Sequence, residues 1–246
     1  MLTVAGFDGT SGAGIACDFK ICSRLKIKNV AAVTALVLQT PLDVIKTSPV
    51  PLRLVREQIE VLNLSYDFPV VHVGLLMQPA ILNFLKKRFP RARIVFDPVF
   101  FSGSGKFAFW KPAHMRNVIA CLNGIYLFTP NIPEAEKLTG MTISTLAAME
   151  KAARQLQCFG VANVLIKGGH LKRPPRGDIL QTPQERRFFP AKLRPCRIHG
   201  TGSFLNAAIS AYLFKGQPLI KSVALARHFL DRAAQKVRRH EPILEI

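Results

Sequence analysis

Short apolar runs of strand length, alternating with longer stretches of helical spacing, constrain this chain more than any other feature. Runs suited to strands fall at residues 2–6, 30–36, 70–73, 94–97, 125–129 and 164–167. Helical stretches are expected at 15–25, 52–64, 79–89, 112–122, 133–138, 145–159, 203–214 and 218–239. Such alternation predicts an α/β fold with a mostly parallel central sheet flanked by helices. Proline stands at the start of several of these helices (Pro79, Pro112, Pro133, Pro218), where its missing N–H costs nothing. The 246 residues, 49% of them hydrophobic, can bury one sizeable core, and no linker divides them, so a single domain over 1–246 is expected. Residues 172–177 read as a Pro/Arg-rich loop, and 178–190 as an irregular hairpin near the sheet edge.

In open sheets of this kind the ligand sits beyond the carboxyl ends of the strands. Asp8, Gly74, Asp97, Asn131 and Lys167 all fall at such ends and can converge. Gly200-Thr201-Gly202-Ser203 runs straight into a helical stretch. A glycine turn that opens a helix presents unpaired N–H groups and the positive end of the helix dipole, which together hold a phosphate. A second glycine-rich turn, Gly6-Phe7-Asp8-Gly9-Thr10-Ser11-Gly12-Ala13-Gly14, follows the first strand.

Two anion-ready turns, a lysine and carboxylates point to phosphoryl transfer, which is mostly positioning and charge neutralisation. Lys167 can reach a nucleotide phosphate. Asn131 and Glu134 fit a metal–water shell for Mg²⁺; a helix N-cap with a first-turn acid explains the same spacing. Asp97 either joins that shell or caps a strand end. Asp8 and Gln39 are suited to reading the ring nitrogens and amino group of a heterocycle, against a satisfied turn and an exposed loop amide. Gly12 and Gly14 permit close backbone approach to a ligand. Asp18 reads as a dipole partner near the start of its helix.

Composition narrows the class further. The formal charge of +19 is spread along the whole chain, without a basic tail or an aromatic stacking signature. That distribution favours a basic surface attracting small anionic substrates over a nucleic-acid binder. No apolar stretch reaches about 18 residues without a charge, so no membrane span is expected. The first residues lack the charged start of a secretion signal, and a cytoplasmic protein is expected. Cysteines at 17, 22, 121, 158 and 196 make no disulfide framework, and Cys196 with His199 has ligand-like spacing without a second pair.

The motifs, taken in order, resemble the hydroxymethylpyrimidine/phosphomethylpyrimidine kinases of thiamine synthesis. They are Ala5-Gly6-Phe7-Asp8, Ser11-Gly12-Ala13-Gly14-Ile15, Asp18-Phe19-Lys20, Thr34-Ala35-Leu36-Val37-Leu38-Gln39 and Val73-Gly74-Leu75-Leu76. Asp97-Pro98-Val99, Thr129-Pro130-Asn131-Ile132-Pro133-Glu134, Lys167-Gly168-Gly169-His170-Leu171 and His199-Gly200-Thr201-Gly202 continue the agreement. The resemblance implies a ribokinase-like fold, a homodimer, and use of ATP with Mg²⁺. It implies phosphorylation of 4-amino-5-hydroxymethyl-2-methylpyrimidine and then of its monophosphate. Carried over by position, Gly6, Ala13, Val37, Gln39 and Val99 would line the pyrimidine pocket, with Asp8 beside them. Asn131, Lys167 and Thr201 would serve ATP, Glu134 and Asp97 its metal, and Gly200, Gly202 and Ser203 the reacting centre.

Several departures accompany the resemblance. The family usually has cysteine and then threonine where this chain has Ser203 and Phe204. A thiol with a pKa of about 8.5 yields an anion near neutrality, and an alcohol does not. Leu75 replaces a frequent methionine, Gly103 precedes Ser104-Gly105, and the nearby loop carries Phe101, Phe107, Phe109 and Trp110. Residues 172–178 are basic where the family is usually acidic. A pyridoxal-type kinase, or a weakened pyrimidine-binding regulatory protein, is the alternative reading.

Overall fold

The computed structural model describes residues 1–40, 43–102, 105, 107–110, 115–171, 174–191 and 200–235. Gly103, Ser104, Cys196, His199 and the ends of three expected segments, 112–122, 172–177 and 218–239, lie outside them. Among the described residues the sheet has nine strands: β1 (Leu2–Asp8), β2 (Val30–Gln39), β3 (Val44–Pro49), β4 (Val70–Val73), β5 (Arg93–Phe96), β6 (Leu127–Phe128), β7 (Asn163–Ile166), β8 (Gly177–Gln181) and β9 (Arg186–Pro190). Their order is β3-β2-β1-β4-β5-β6-β7-β8-β9. From β2 to β7 every neighbour is parallel; β3 at one edge, and β8 and β9 at the other, run antiparallel.

The helices are α1 (Gly14–Arg24), α2 (Leu52–Asn63), α3 (Ala80–Arg88), α4 (Met115–Cys121), α5 (Ile132–Thr139), α6 (Leu146–Gln157), α7 (Thr201–Phe214) and α8 (Leu219–Ala234). The strand period of two sorts side chains between two cores. Val71, Val73, Ile94, Phe96, Phe128, Val164 and Ile166 pack with residues of α2 to α6. Val70, Val95, Leu127 and Leu165 face α1, α7 and α8. Strands buried on both faces read as continuous apolar runs rather than alternating ones. That is why their sequence signal is so plain.

The chain leaves β1 for β2 on one side and returns to β4 on the other. β1 therefore marks the reversal of strand order, beside which open α/β sheets place their ligands. β3 was not visible as a strand in the sequence, because Lys46, Thr47 and Ser48 give it a polar edge-strand composition. The run 125–129 shortens to β6, since the Ile125 N–H turns back to the Leu122 carbonyl. Residues 178–190 form a regular hairpin, β8–β9, where an irregular one was expected.

Candidate active site

Two glycine turns meet at the carboxyl ends of β1, β5 and β7. Gly200 is the N-cap of α7, with φ of 82°, in the left-handed region that favours glycine. A Cβ on Gly200 would overlap the carbonyl oxygen of Gly12, so the N-terminal loop presses against the start of α7. α7 opens without a side-chain cap. The first N–H groups of a helix have no intrahelical partner, and among the described residues no side chain caps them here.

Lys167 and Asp97 lie against this turn. Lys167 Nζ donates to Asp97 Oδ1 at 2.7 Å. A Cβ on Gly202 would stand 3.4 Å from Lys167 Nζ and 3.9 Å from Asp97 Oδ2, ordinary contact distances that place this turn directly against the pair. Both residues continue the α7 face of the sheet, each two places beyond a side chain of that core, Val95 and Leu165. Burial opposes the Lys167 charge. The combined pull of Asp97 and Glu134 nevertheless holds its pKa above the ordinary lysine value.

Asn131 joins the group through the backbone. It bridges to Lys167, whose N–H donates to the Pro130 carbonyl at 2.8 Å. Its side chain completes a capping box: Asn131 Oδ1 accepts from the Glu134 N–H at 2.9 Å, and Glu134 Oε2 accepts from the Asn131 N–H at 2.7 Å. Such a cap stabilises a helix by about 1 kcal/mol. Glu134 Oε1 accepts from the Phe100 N–H at 3.4 Å. Burial lifts the Glu134 pKa to about 7 against the opposing pull of Lys167.

These carboxylates bear on the metal expected from the sequence. Among the described residues no three His, Cys, Asp or Glu side chains gather as a direct metal cage. Both Glu134 oxygens are engaged by backbone N–H groups and one Asp97 oxygen by Lys167. The residues fit a hydrated Mg²⁺ approached through its waters, the mode that ion prefers, and not one stripped of its shell.

The heterocycle-facing residues gather at β1 and β2. A Cβ on Gly6 would meet Leu75 Cδ2 at 3.1 Å and Val37 Cγ2 at 3.4 Å. Gly6, Val37 and Leu75 therefore pack closely together at the ends of β1 and β2. Gln39 and Val99 enter by position, two residues past Val37 and just beyond β5, rather than through one of these contacts. Asp8 is 3% exposed and organises its own loop. Its carboxylate accepts from the Thr10 N–H at 2.8 Å, the Thr10 hydroxyl and the Ala13 N–H at 3.0 Å. Ser11 N donates to the Asp8 carbonyl at 3.1 Å and Gly12 N to Thr10 Oγ1 at 3.4 Å. Four successive N–H groups of this turn are thus bonded internally. Ser203, in the first turn of α7, is half-buried beside Gly202.

The sequence reading did not anticipate an acid–imidazole contact behind this cleft. His72 Nδ1 and Asp18 Oδ2 are 3.0 Å apart, both side chains buried. A histidine inside the otherwise apolar run Val70-Val71-His72-Val73 was the available signal.

A parallel sheet with its reversal at β1, a glycine-opened helix over a lysine and an apolar cluster at Gly6 define a small-molecule kinase architecture. The family model for phosphomethylpyrimidine kinase matches residues 8–242. The chain belongs to the phosphomethylpyrimidine kinase family. It is 34% identical over 261 residues to a bifunctional thiamine biosynthesis protein of Geobacter sulfurreducens, covering 100% of this chain and 52% of that one. The chain thus spans about half of that relative. It is 32% identical to the hydroxymethylpyrimidine/phosphomethylpyrimidine kinase of Haemophilus influenzae, covering 95% of this chain and 90% of that one. Among solved structures, a phosphomethylpyrimidine kinase from Clostridium difficile 630 superposes with a TM-score of 0.83 at 29% identity, over 95% of this chain and 98% of that one. A Staphylococcus aureus pyridoxal kinase in complex with pyridoxal gives 0.86 at 25% identity, over 100% and 91%. The fold is ribokinase-like, as the sequence implied.

Proposed function

We propose that this protein uses ATP to phosphorylate the hydroxymethyl group of 4-amino-5-hydroxymethyl-2-methylpyrimidine, and then its monophosphate, in thiamine synthesis. The observation that carries this is the placing of Gly202 directly beside Lys167 and Asp97, at the uncapped start of α7. Family membership supplies the substrate class.

The N–H groups of residues 201–203 and the Lys167 ammonium face the place where negative charge develops on a transferring phosphoryl group. Such preorganised donors are commonly the largest single contribution to catalysis. Lys167 is held in place by Asp97, which also keeps it charged. Ser203 orients the acceptor hydroxyl. In a loose transition state the acceptor proton leaves late, so a serine that is a poor base still permits turnover. Gly6, Val37 and Leu75 receive the ring, with Gln39 at its polar edge. Bound Mg²⁺ would neutralise the nucleotide phosphates, its waters accepted by Asp97 and Glu134.

Nucleotide use is supported by a structural neighbour, the S. aureus pyridoxal kinase, solved with ADP and with AMP-PCP. A homodimer is supported by an exposed apolar strip: Phe7 and Leu36 are register partners, and Leu38 lies two residues along on the same face. A cytosolic site of action fits the free thiols of Cys17, Cys22, Cys121 and Cys158. Among the described residues no helix is long and apolar enough to cross a membrane.

A second acceptor, pyridoxal, is favoured by the pyridoxal kinase neighbours. One coupled assay decides: purified protein with ATP-Mg²⁺ and each acceptor separately. Phosphorylated pyrimidine as the preferred product supports the reading; turnover equal to a blank with both acceptors removes it.

A further inference from the structure

Between the sheet and helices α1 and α7 the buried polar side chains include three whose polar atoms are left partly unpaired. Asp18 on α1, His72 on β4 and Asn206 on α7 are 0%, 2% and 0% exposed. Asp18 Oδ1, His72 Nε2 and both amide atoms of Asn206 have no hydrogen-bond partner among the described residues. Around them stand Cys17, Ile21, Val70, Val95 and Ala207.

Their placement follows from strand and helix periods. His72 lies one residue from Val71, which faces the other core, and contacts Asp18 of α1; it therefore points to the α1 and α7 side. His72 is in register with Val95, so Asp97 is its diagonal neighbour two places nearer the cleft. Asn206 is one helical turn below Gly202, whose own face looks onto Lys167 and Asp97. Helix α7 rests on both α1 and β4. Lys167, Asp97, His72, Asp18 and Asn206 thus form a polar column descending from the cleft into the core.

A buried amide with neither atom paired is a cost that packing does not explain, since leucine has nearly the same shape. Violations of this kind concentrate at functional sites. Several such unpaired groups in one layer supply the polar partners that a buried water needs.

The geometry points to Asp18, His72 and Asn206 as positioning residues: they enclose bound water and fix the first turn of α7 at its working distance from the Asp97–Lys167 pair. Asp18 ties α1, and through it the Gly12 loop that meets Gly200, to β4. Asn206 ties α7 to the same pair through the enclosed water. None of the three touches nucleotide or acceptor. The inference rests on the kinase reading insofar as the distance being set is a catalytic one.

Three measurements test it. A high-resolution crystal structure of the wild-type protein should show ordered water within hydrogen-bond reach of His72 Nε2 and the Asn206 amide; a dry chamber overturns the inference. Asn206→Leu should keep or raise the melting midpoint and leave KM for ATP within about twofold, while kcat falls about 10-fold, as small misplacements cost. Asp18→Asn should lower kcat in the same way. A changed midpoint with unchanged kcat in either variant means the chamber is only structural, and overturns the inference. If the wild-type protein phosphorylates neither acceptor, the kinase reading fails by itself. The chamber is then judged by the water and by the amide resonance of Gly202, which Asn206→Leu should shift; an unmoved resonance overturns it.

Discussion

The two glycine turns look alike in sequence and are built for opposite purposes. In the N-terminal turn the N–H groups of Thr10, Ser11, Gly12 and Ala13 are all bonded within the loop, chiefly to Asp8. Those four N–H groups are already satisfied, and the turn serves as a wall of the cleft rather than a phosphate cradle. Among the described residues the Gly200 turn has no capping side chain, and it lies directly beside Lys167. One turn is complete without a ligand and the other is completed by one. A carboxylate at the right spacing makes the difference: Asp8 precedes the first turn, while α7 has no acid in its opening residues.

This contrast can be broken in several ways. Lys167→Met should reduce kcat by roughly 10²–10³, the scale of losing one preorganised donor. It should also lower the melting midpoint, because Asp97 is left buried without its cation. Adding Asp97→Asn should restore the midpoint and not the turnover; restored turnover would show that Lys167 serves only to balance Asp97. Next in size, Gly200→Ala puts a Cβ into the Gly12 carbonyl at a left-handed φ. A loss of about 3 kcal/mol, read as a midpoint lower by roughly 6–12 °C, is expected from strain and overlap together.

Asp8→Ala tests the other half of the comparison. Removing the acceptor for several buried donors should cost about 1–3 kcal/mol in chemical denaturation. The pyrimidine KM should rise while ADP affinity stays within about twofold, since the wall moves and the phosphate cradle does not. An equal loss of ADP affinity would mean that both turns hold phosphate.

The smallest effect is on pH dependence. Burial works against a charged His72, yet the adjoining Asp18 carboxylate outweighs it, with help from Asp97 and against Lys167, and the pKa is raised. A raised folded-state value stabilises the protein fully below the ordinary histidine pKa of about 6.5, and that contribution is lost as pH climbs through the raised value. The melting midpoint should therefore decline with rising pH across that window, and His72→Gln should flatten the decline.

The parallel core was legible because its strands are buried on both faces, so unbroken runs such as Val70–Val73 announce themselves. The edge strand β3 was not, since a half-exposed antiparallel strand carries Lys46, Thr47 and Ser48 with little apolar signal. Lys167, Asp97 and Asn131 could be placed at strand ends, and Gly200 at the opening of a helix, from the sequence. Their mutual contacts could not, because the pairing of Asn131 with Lys167 depends on register between distant segments. Asp8 illustrates the limit most clearly. Its residue type allowed both ring recognition and turn satisfaction, and only the hydrogen bonds to Thr10 and Ala13 show how much of it the loop uses. Asp18 likewise read as a dipole partner until the fold brought His72 to it across 54 residues.

The most direct test of the asymmetry between the turns is a crystal structure of the protein with AMP-PCP and the hydroxymethylpyrimidine. The terminal phosphate should lie within about 3 Å of the N–H groups of residues 201–203, with Lys167 Nζ as its neighbour, as charge-assisted bonds require. A terminal phosphate seated on residues 10–13 instead, or remote from Lys167, would contradict the account.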